Sequence, residues 1–405
     1  MNIDRMRAID RWVGIPLCFL LTLLIRPFAA VAGTRKPPKR ILFIELSEMG
    51  STILADPAMR KARAVFSADL FFVIFDTNAA SLDLLGTVPR DNIRTIRAGS
   101  LWTLAIDTLG FLLWTRRRGI DAVVDLELFS RFTALLTGLS GAAHRVGFHR
   151  FYNEGLYRGH LLTHRVAYNP HIHIAKNFVA LINALAAAAP ERPYSKTVVT
   201  DDEITLPRLV AGGREAQAIS AGVAAAFPPF EPERHRLVLF NPNASDMLPQ
   251  RRWPAEHFAT LARRVLERWE DVVILITGAP EEAADAEALR IRVGHARIIN
   301  FAGRSTLADL PLLYSIADLM VSNDSGPAHF AAVTDMPTIV LFGPETPALY
   351  GPLGRSCAIT AGLACSPCVS AANHRRTACA DPVCMAAIPP ERVLAAAADI
   401  LDAPV

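Results

Sequence analysis

The sequence predicts an α/β protein of two consecutive domains, each a doubly wound, mainly parallel sheet, behind a short apolar segment. Three observations carry that prediction. A chain of 405 residues exceeds what one hydrophobic core usually serves. Short apolar runs ending in Ser, Gly or Asn alternate with longer helical patterns, the signature of parallel strands joined by helices. The alternation breaks once, over residues 189–235, where Pro, Ala and charge accumulate, and then restarts. The expected organisation is a membrane-associating segment (1–39), a first domain (40–190), a linker region (191–235), a second domain (236–390) and a tail (391–405).

In the first domain, residues 41–44 read as a strand, followed by a Ser/Gly turn and a helix over 56–65. Strands follow at 70–75, 93–96, 121–126 and 145–148, with a long apolar helix over 101–116 and another helix over 173–188. The second domain resumes with strands at 237–240, 272–277 and 298–299 and helices over 255–268 and 281–293. Its organising stretch is residues 318–346, DLMVSNDSGPAHFAAVTDMPTIVLFGPET. A buried strand (319–321) ends at Ser322-Asn323-Asp324, a helix starts within 325–332, and a second strand (337–342) breaks at Gly343-Pro344. Asp324 suits the N-cap of that helix, and Pro327 falls in its first turn, where a missing N–H costs nothing. Such a βαβ unit aims free N–H groups at the carboxyl edge of the sheet, where an anion binds.

Composition is globular, with 51% hydrophobic and 20% charged residues. Charge is uneven: residues 1–40 hold eight Lys/Arg against two Asp, while the whole chain is only +3. No basic stripe interleaved with aromatics occurs in the body, so nucleic acid is not an expected partner. Six cysteines in so long a chain do not make a disulfide framework. Residues 13–25, VGIPLCFLLTLLI, form an uncharged run shorter than the about 20 residues a spanning helix needs. Three readings follow: shallow insertion at a membrane surface, a spanning anchor with Arg26 snorkelling, or a signal peptide cleaved near Ala30-Val31-Ala32. Arg35, Lys36, Lys39 and Arg40 suit a cytoplasmic flank.

DSGPAH, followed by a proline-initiated strand ending in FGPET, resembles the donor-site signature of glycosyltransferase family 9, the heptosyltransferase-like enzymes. ILFIELSEMGSTILADPAMR, HRVGFHR, NPNAS and QRRWPAEHF are similar to further segments of that family, in the same order. The resemblance implies the GT-B architecture, two Rossmann-like domains facing a cleft whose closure excludes water. It implies an inverting transferase that requires no metal cofactor. The implied donor is a nucleotide sugar, ADP-heptose. The implied acceptor is a lipid-linked glycan such as the lipopolysaccharide core, met at the inner-membrane surface on the cytoplasmic face of a bacterial cell.

Glycosyl transfer needs a stabilised diphosphate leaving group, a positioned acceptor hydroxyl and a base for its proton. For the diphosphate the candidates are the N–H groups of Ser325 and Gly326, the Ser325 hydroxyl, and His329 one turn along the same face. Asp324 is expected to contact the donor through a sugar hydroxyl or to orient the loop. After the preceding strand, Asn243 and Ser245 let the backbone approach phosphate, and Arg251 or Arg252 supplies the guanidinium where the family usually has a lysine before the Trp. By resemblance, Glu282 binds the nucleotide ribose, although helix-start acids are common without function.

The acceptor side departs from the family pattern. The Gly-Asp pair that usually follows the first strand, with the Asp as base, is here Gly50-Ser51. Glu48 in the same loop is the first substitute and Asp56 the second, with Ser51 lining the acceptor. Arg145, His149 and Arg150 are expected to form a pocket for an anionic acceptor. His171 and His173 lack a third ligand and read as helix-start residues rather than a metal pair. Cys365, Cys368, Cys379 and Cys384 have one pair at knuckle spacing, so a structural zinc stands beside reduced or cross-linked cysteines as a reading. Other nucleotide sugars, an epimerase, or a silent sugar-nucleotide-binding scaffold are the alternatives, because the donor motifs read phosphate rather than sugar.

Overall fold

Four of the five residues of the first strand, RILFI, are fully buried, the pattern of a parallel strand covered by helices on both faces. The same physics repeats through the chain in a computed structural model, which describes residues 3–29, 36–128, 130–152, 156–209, 212–370, 373 and 375–403. Ala30-Val31-Ala32 and Arg35 lie outside the described residues. The chain forms two units: Met1–Thr205 with Ser370–Arg375, and Leu206–Val369 with Arg376–Val405. The division between them falls inside the expected linker region, and residues 391–405 belong to the second unit.

The first unit opens with α1 (Ile3–Trp12) and α2 (Gly14–Ala29), followed by β1 (Arg40–Ile44), α3 (Met49–Phe66), β2 (Asp69–Phe75) and β3 (Ile93–Ile96). It continues through α4 (Leu101–Arg117), β4 (Ala122–Asp125), α5 (Arg131–Leu139), β5 (His144–Phe148), β6 (His164–Val166) and α6 (Ile174–Ala186). The sheet is parallel, in the order β3-β2-β1-β4-β5-β6. The chain therefore reverses direction of travel between β1 and β4, and that carboxyl edge is where open α/β sheets bind ligands. Helix α3 begins at Met49 rather than near residue 56, and Pro57 sits inside it, where it removes one backbone bond. The extended Glu48 is its N-cap residue.

The second unit holds α7 (Gly213–Ala226), β7 (Arg236–Asn241), α8 (Ala255–Arg268), β8 (Val272–Ile276), α9 (Ala283–Val293) and β9 (Ile298–Asn300). After α10 (Leu310–Ser315) come β10 (Leu319–Asn323), α11 (Gly326–Ala331), β11 (Thr338–Phe342), α12 (Pro347–Tyr350) and β12 (Ser356–Thr360). Helices α13 (Val383–Ala386) and α14 (Pro390–Leu401) close the unit. Its sheet is also parallel, β12-β11-β10-β7-β8-β9, with the reversal between β10 and β7. Val393, Ala397 and Leu401 of α14 join the core around Phe240, Phe258 and Ile274, so the expected tail contains a packed helix.

Candidate active site

The second reversal point carries most of the residues that the sequence singled out for the donor, and the first carries Glu48 among acids that it did not. At the second, Asn323 ends β10 and ties three segments together. Its Nδ2 donates to the Pro242 carbonyl at 2.7 Å, and its Oδ1 accepts from the Trp253 amide at 3.1 Å. The Trp253 indole N–H donates in turn to Ile388 at 3.0 Å. This strap fixes the NPNAS loop, the RRWP segment and the DSGPAH start in one place. Asn323 escaped the sequence reading, although a buried amide at the end of a central strand is the signal for it.

Asp324 is not the cap of α11. Ser325 occupies that position in extended conformation, because β10 runs on to Asn323 and pushes the helix start along by one residue. The Asp324 carboxylate is buried and lies 3.6 Å from the Arg251 guanidinium. The Ser325 hydroxyl donates to the Asn323 carbonyl at 3.2 Å and lies 3.3 Å from the Ser322 hydroxyl. Pro327 is in the first turn as expected, and His329 is buried on the same short helix.

The two arginines separate. Arg252 is engaged by its own loop, donating to the Ala244 carbonyl at 2.7 Å and to Asp246 at 2.6 Å. Arg251 is buried at the strap, and its Nε has no protein partner among the described residues. A buried cation with an open donor is costly, and Asp324 is the one anionic group paired with it among the described residues. Asn243 donates to the Thr277 carbonyl at 3.3 Å, and Ser245 holds the turn by accepting from the Met247 amide at 3.2 Å. At Gly278 a Cβ would lie 2.7 Å from Asn243 Nδ2 and 2.8 Å from Glu282 Oε2, so only glycine allows these groups to converge. Glu282 caps its own turn through the Ala279 amide at 2.6 Å, and burial pushes its carboxyl upward against that bond.

At the first reversal point four carboxylates gather. Glu45 follows β1 directly and is buried; burial, then the charges of Glu127, Glu48 and Asp125, push it well above the usual carboxylate range. Glu127 follows β4 and accepts from the Leu46 amide at 3.1 Å and the Ser47 hydroxyl at 2.6 Å, bonds that partly offset the upward push of burial. Asp125 is fully buried against Arg158, whose guanidinium also reaches the Glu127 carbonyl and, at 2.9 Å, Thr133. Glu48 is the half-exposed member: one oxygen pairs with Arg375, and the other accepts from Ser51 at 3.4 Å. Glu45 and Glu127 escaped the sequence reading, although lone acids closing the apolar runs IELS and LEL are the signal for them. Arg158 gave no signal.

Asp56 stands apart, fully buried in the second turn of α3 and bonded to Arg60 at 2.7 Å and to Thr87. Arg145 and His149 are at opposite edges of the sheet. Arg145 pairs in register with Val123 near the amino end and donates to the Leu161 and Ala142 carbonyls, both at 2.7 Å. His149 and Arg150 follow β5 at the carboxyl edge, with Arg150 bonded to the Tyr152 carbonyl at 2.5 Å. Burial, then the Arg165 charge, hold the His149 imidazole down at about 4, so at neutral pH it offers hydrogen bonds and not a countercharge. His173 caps α6 by accepting from the Ala175 amide at 3.2 Å, the helix-start role expected for it. Cys384 lies in the core, the other three cysteines of its group are free thiols, and among the described residues no three His, Cys, Asp or Glu converge to hold a metal.

Residues 116–378 match the sequence profile of glycosyltransferase family 9 (heptosyltransferase). The chain belongs to glycosyltransferase family 9. Lipopolysaccharide heptosyltransferase 2 of Salmonella typhimurium is 32% identical over 118 residues, 29% of this chain and 34% of that protein. The alignments to the first curated relatives span 30–51% of those proteins' lengths. Lipopolysaccharide core heptosyltransferase OpsX of Haemophilus influenzae aligns more fully, over 78% of this chain and 82% of its own, at 21% identity. Among solved structures, E. coli ADP-heptose LPS heptosyltransferase II superposes with a TM-score of 0.66 at 19% identity, covering 89% of this chain and 98% of the other. This family 9 glycosyltransferase therefore has the GT-B fold, with the strap of Asn323 and Arg251 inside the matched region.

Proposed function

We propose that this family 9 enzyme moves a heptose-like sugar from a nucleotide diphosphate donor, ADP-heptose, to a hydroxyl of a lipopolysaccharide-core acceptor, with inversion at the anomeric carbon. The observation that carries the donor half is Arg251, a buried guanidinium with an open donor at the carboxyl edge of a Rossmann-like sheet. Arg251, the Ser325 and Gly326 amides and His329 hold the diphosphate; Asp324, too acidic to face phosphate, orients Arg251 and meets a sugar hydroxyl. Glu282 and Asn243 face the nucleoside. The names of the family 9 relatives support heptose as the sugar.

In the acceptor half, Glu48 is the base. Ser51 occupies the family's usual Asp position and donates to Glu48, which brings a carboxylate to that place from three residues earlier. The acceptor O–H gives its proton to Glu48, the oxygen attacks the anomeric carbon from the face opposite the diphosphate, and the C–O bond to phosphate breaks with its electron pair on the leaving group. Glu45, whose carboxyl burial and the neighbouring acids push toward its neutral form, tempers the negative charge of the site, and His149 and Arg150 bind polar groups of the acceptor. No metal takes part. Because the acceptor is lipid-linked, the enzyme works at the cytoplasmic face of the inner membrane.

Purified enzyme offered a panel of nucleotide sugars with a core acceptor extract tests this reading. ADP release from ADP-heptose, dependent on acceptor, is the expected result. Release from another donor alone would change the sugar and keep the chemistry. The Ser51 departure favours one second reading, a sugar-nucleotide-binding scaffold, and binding without release from any donor would establish it instead.

A further inference from the structure

Two helices of the first unit are inside out. In α4, Asp107, Phe111 and Thr115 form the buried stripe, while Trp102, Ile106, Leu109 and Leu113 form the exposed one. Trp102 is 76% and Leu109 63% exposed. The polar residues beneath are satisfied: Asp107 takes two 2.8 Å bonds from Arg97, and Thr115 donates to the Ser140 carbonyl at 3.0 Å. A water-facing helix puts its apolar stripe on the core. This one does the reverse.

Helix α2 shows the same inversion. Gly14, Cys18 and Thr22 are buried, and Ile15, Leu17, Phe19, Leu20, Leu23 and Leu24 are exposed. The small inner residues let α2 lie directly on α5 and its neighbours. A Cβ at Gly14 would meet Arg131 at 2.8 Å, one at Gly138 would meet Leu21 at 3.1 Å, and one at Gly159 would meet Thr22 at 2.6 Å. The Thr22 hydroxyl accepts from the His160 amide at 2.9 Å, and Asp10 of α1 accepts from the Arg131 and Phe132 amides at the start of α5. Helices α4 and α5 share the core against one face of the sheet through Phe111, Leu136 and Phe132, and α2 packs on α5 through Cys18, Leu21 and Ala134.

We propose that α2 and α4 together form one face that docks in the plane of an anionic lipid bilayer, with neither helix crossing it. This deepens the membrane-surface part of the proposed function and adds α4 to it. Residues Arg5–Ile25 are long and apolar enough to cross a membrane by length and composition, but the inner stripe of α2 and Asp10 of α1 are committed to the protein. A helix bonded along its length to a folded domain lies on a membrane. Exposed tryptophans stand at the starts of both stretches, Trp12 at 74% at the end of α1 just before α2 and beside Arg11, and Trp102 at the start of α4, as suits rings at headgroup level. Cations sit at the ends: Arg11 before α2, and exposed Arg116, Arg117 and Arg118 at the end of α4. Anionic headgroups complement that rim, whereas a second copy pairing through the same face would bring like charges together.

The test is flotation of the full chain with vesicles, without sugar donor, so its outcome is independent of the catalytic reading. Binding to phosphatidylglycerol-containing vesicles, release by alkaline carbonate, and at least tenfold weaker binding of the Trp102→Glu/Leu109→Glu variant at unchanged melting temperature are expected. Wild-type-like binding by that variant would remove α4 from the face. Equal, salt-insensitive binding to phosphatidylcholine alone would overturn the anionic partner, and resistance to carbonate would overturn the in-plane geometry. A dimer that the double variant dissociates, with no vesicle binding, would make the face a contact between copies and overturn the proposal.

Discussion

The two sheets of this chain have the same parallel design and the same reversal, the fourth strand returning beside the first, yet their carboxyl edges differ in charge. The second unit presents a buried arginine, small polar residues and glycine. The first presents Glu45, Glu48, Asp125 and Glu127, with buried Arg158 on Asp125 and Arg375 on Glu48. One fold thus carries different charge at its two carboxyl edges, and the difference lies at the ends of the central strands and in the loops that follow them. The fold positions those residues; their side chains decide the chemistry.

The largest effect should come from breaking the basic edge. Arg251→Ala removes the open guanidinium and should lower kcat/KM for donor turnover by about 10²–10³, the cost of losing one charged donor from a developing anion. Arg252→Ala, whose side chain serves its own loop, should change it less than about fivefold. Equal losses in a steady-state ADP-release assay would erase the distinction between the two arginines.

On the acidic edge, Glu48→Gln should cut kcat by about 10²–10⁴ with little change in donor KM, because a base acts in the transition state. Asp56→Asn should instead appear in thermal melts, losing on the order of 1–3 kcal/mol as the buried bonds to Arg60 and Thr87 weaken. If Asp56→Asn kept full stability and lost turnover, the roles of the two acids would be reversed.

Glu45 sharpens the comparison through pH. Its folded value is raised, so the protonated form is favoured in the native state, and its contribution to stability is full below about 4.5 and lost as pH rises toward the folded value. Glu45→Gln, permanently neutral, should therefore gain in melting temperature relative to wild type as pH rises above 4.5. A constant gap across pH would show Glu45 ionised alike in both states. The smallest effect is expected from chelation: the proposed metal-free transfer predicts that EDTA leaves turnover within about twofold.

Much of this was legible in the sequence because buried parallel strands are continuous apolar runs. FVIF in β2 and VVILI in β8 leave no other reading, and the polar residues that close such runs mark the functional edge. The missed elements lack that signal. HRV in β6 is three residues long, SCAIT in β12 is mostly exposed, and Ala-rich α14 reads as a tail until its spacing meets a core. HRVGFHR misled for a geometric reason. At about 3.3 Å per residue, a strand puts Arg145 and His149 roughly 13 Å apart on opposite edges, so adjacency in sequence is not a shared pocket. The direction in which α2 and α4 point their apolar stripes was equally hidden, because periodicity gives a face and not its neighbour.

The division of labour between the two edges is tested most directly by calorimetric binding of ADP to wild type, Arg251→Ala and Glu48→Gln. Glu48→Gln should bind ADP as tightly as wild type while its kcat falls by about 10²–10⁴, and Arg251→Ala should bind it at least tenfold more weakly. Undiminished binding by Arg251→Ala, or equal loss in both variants, would contradict the assignment of donor and base to separate edges.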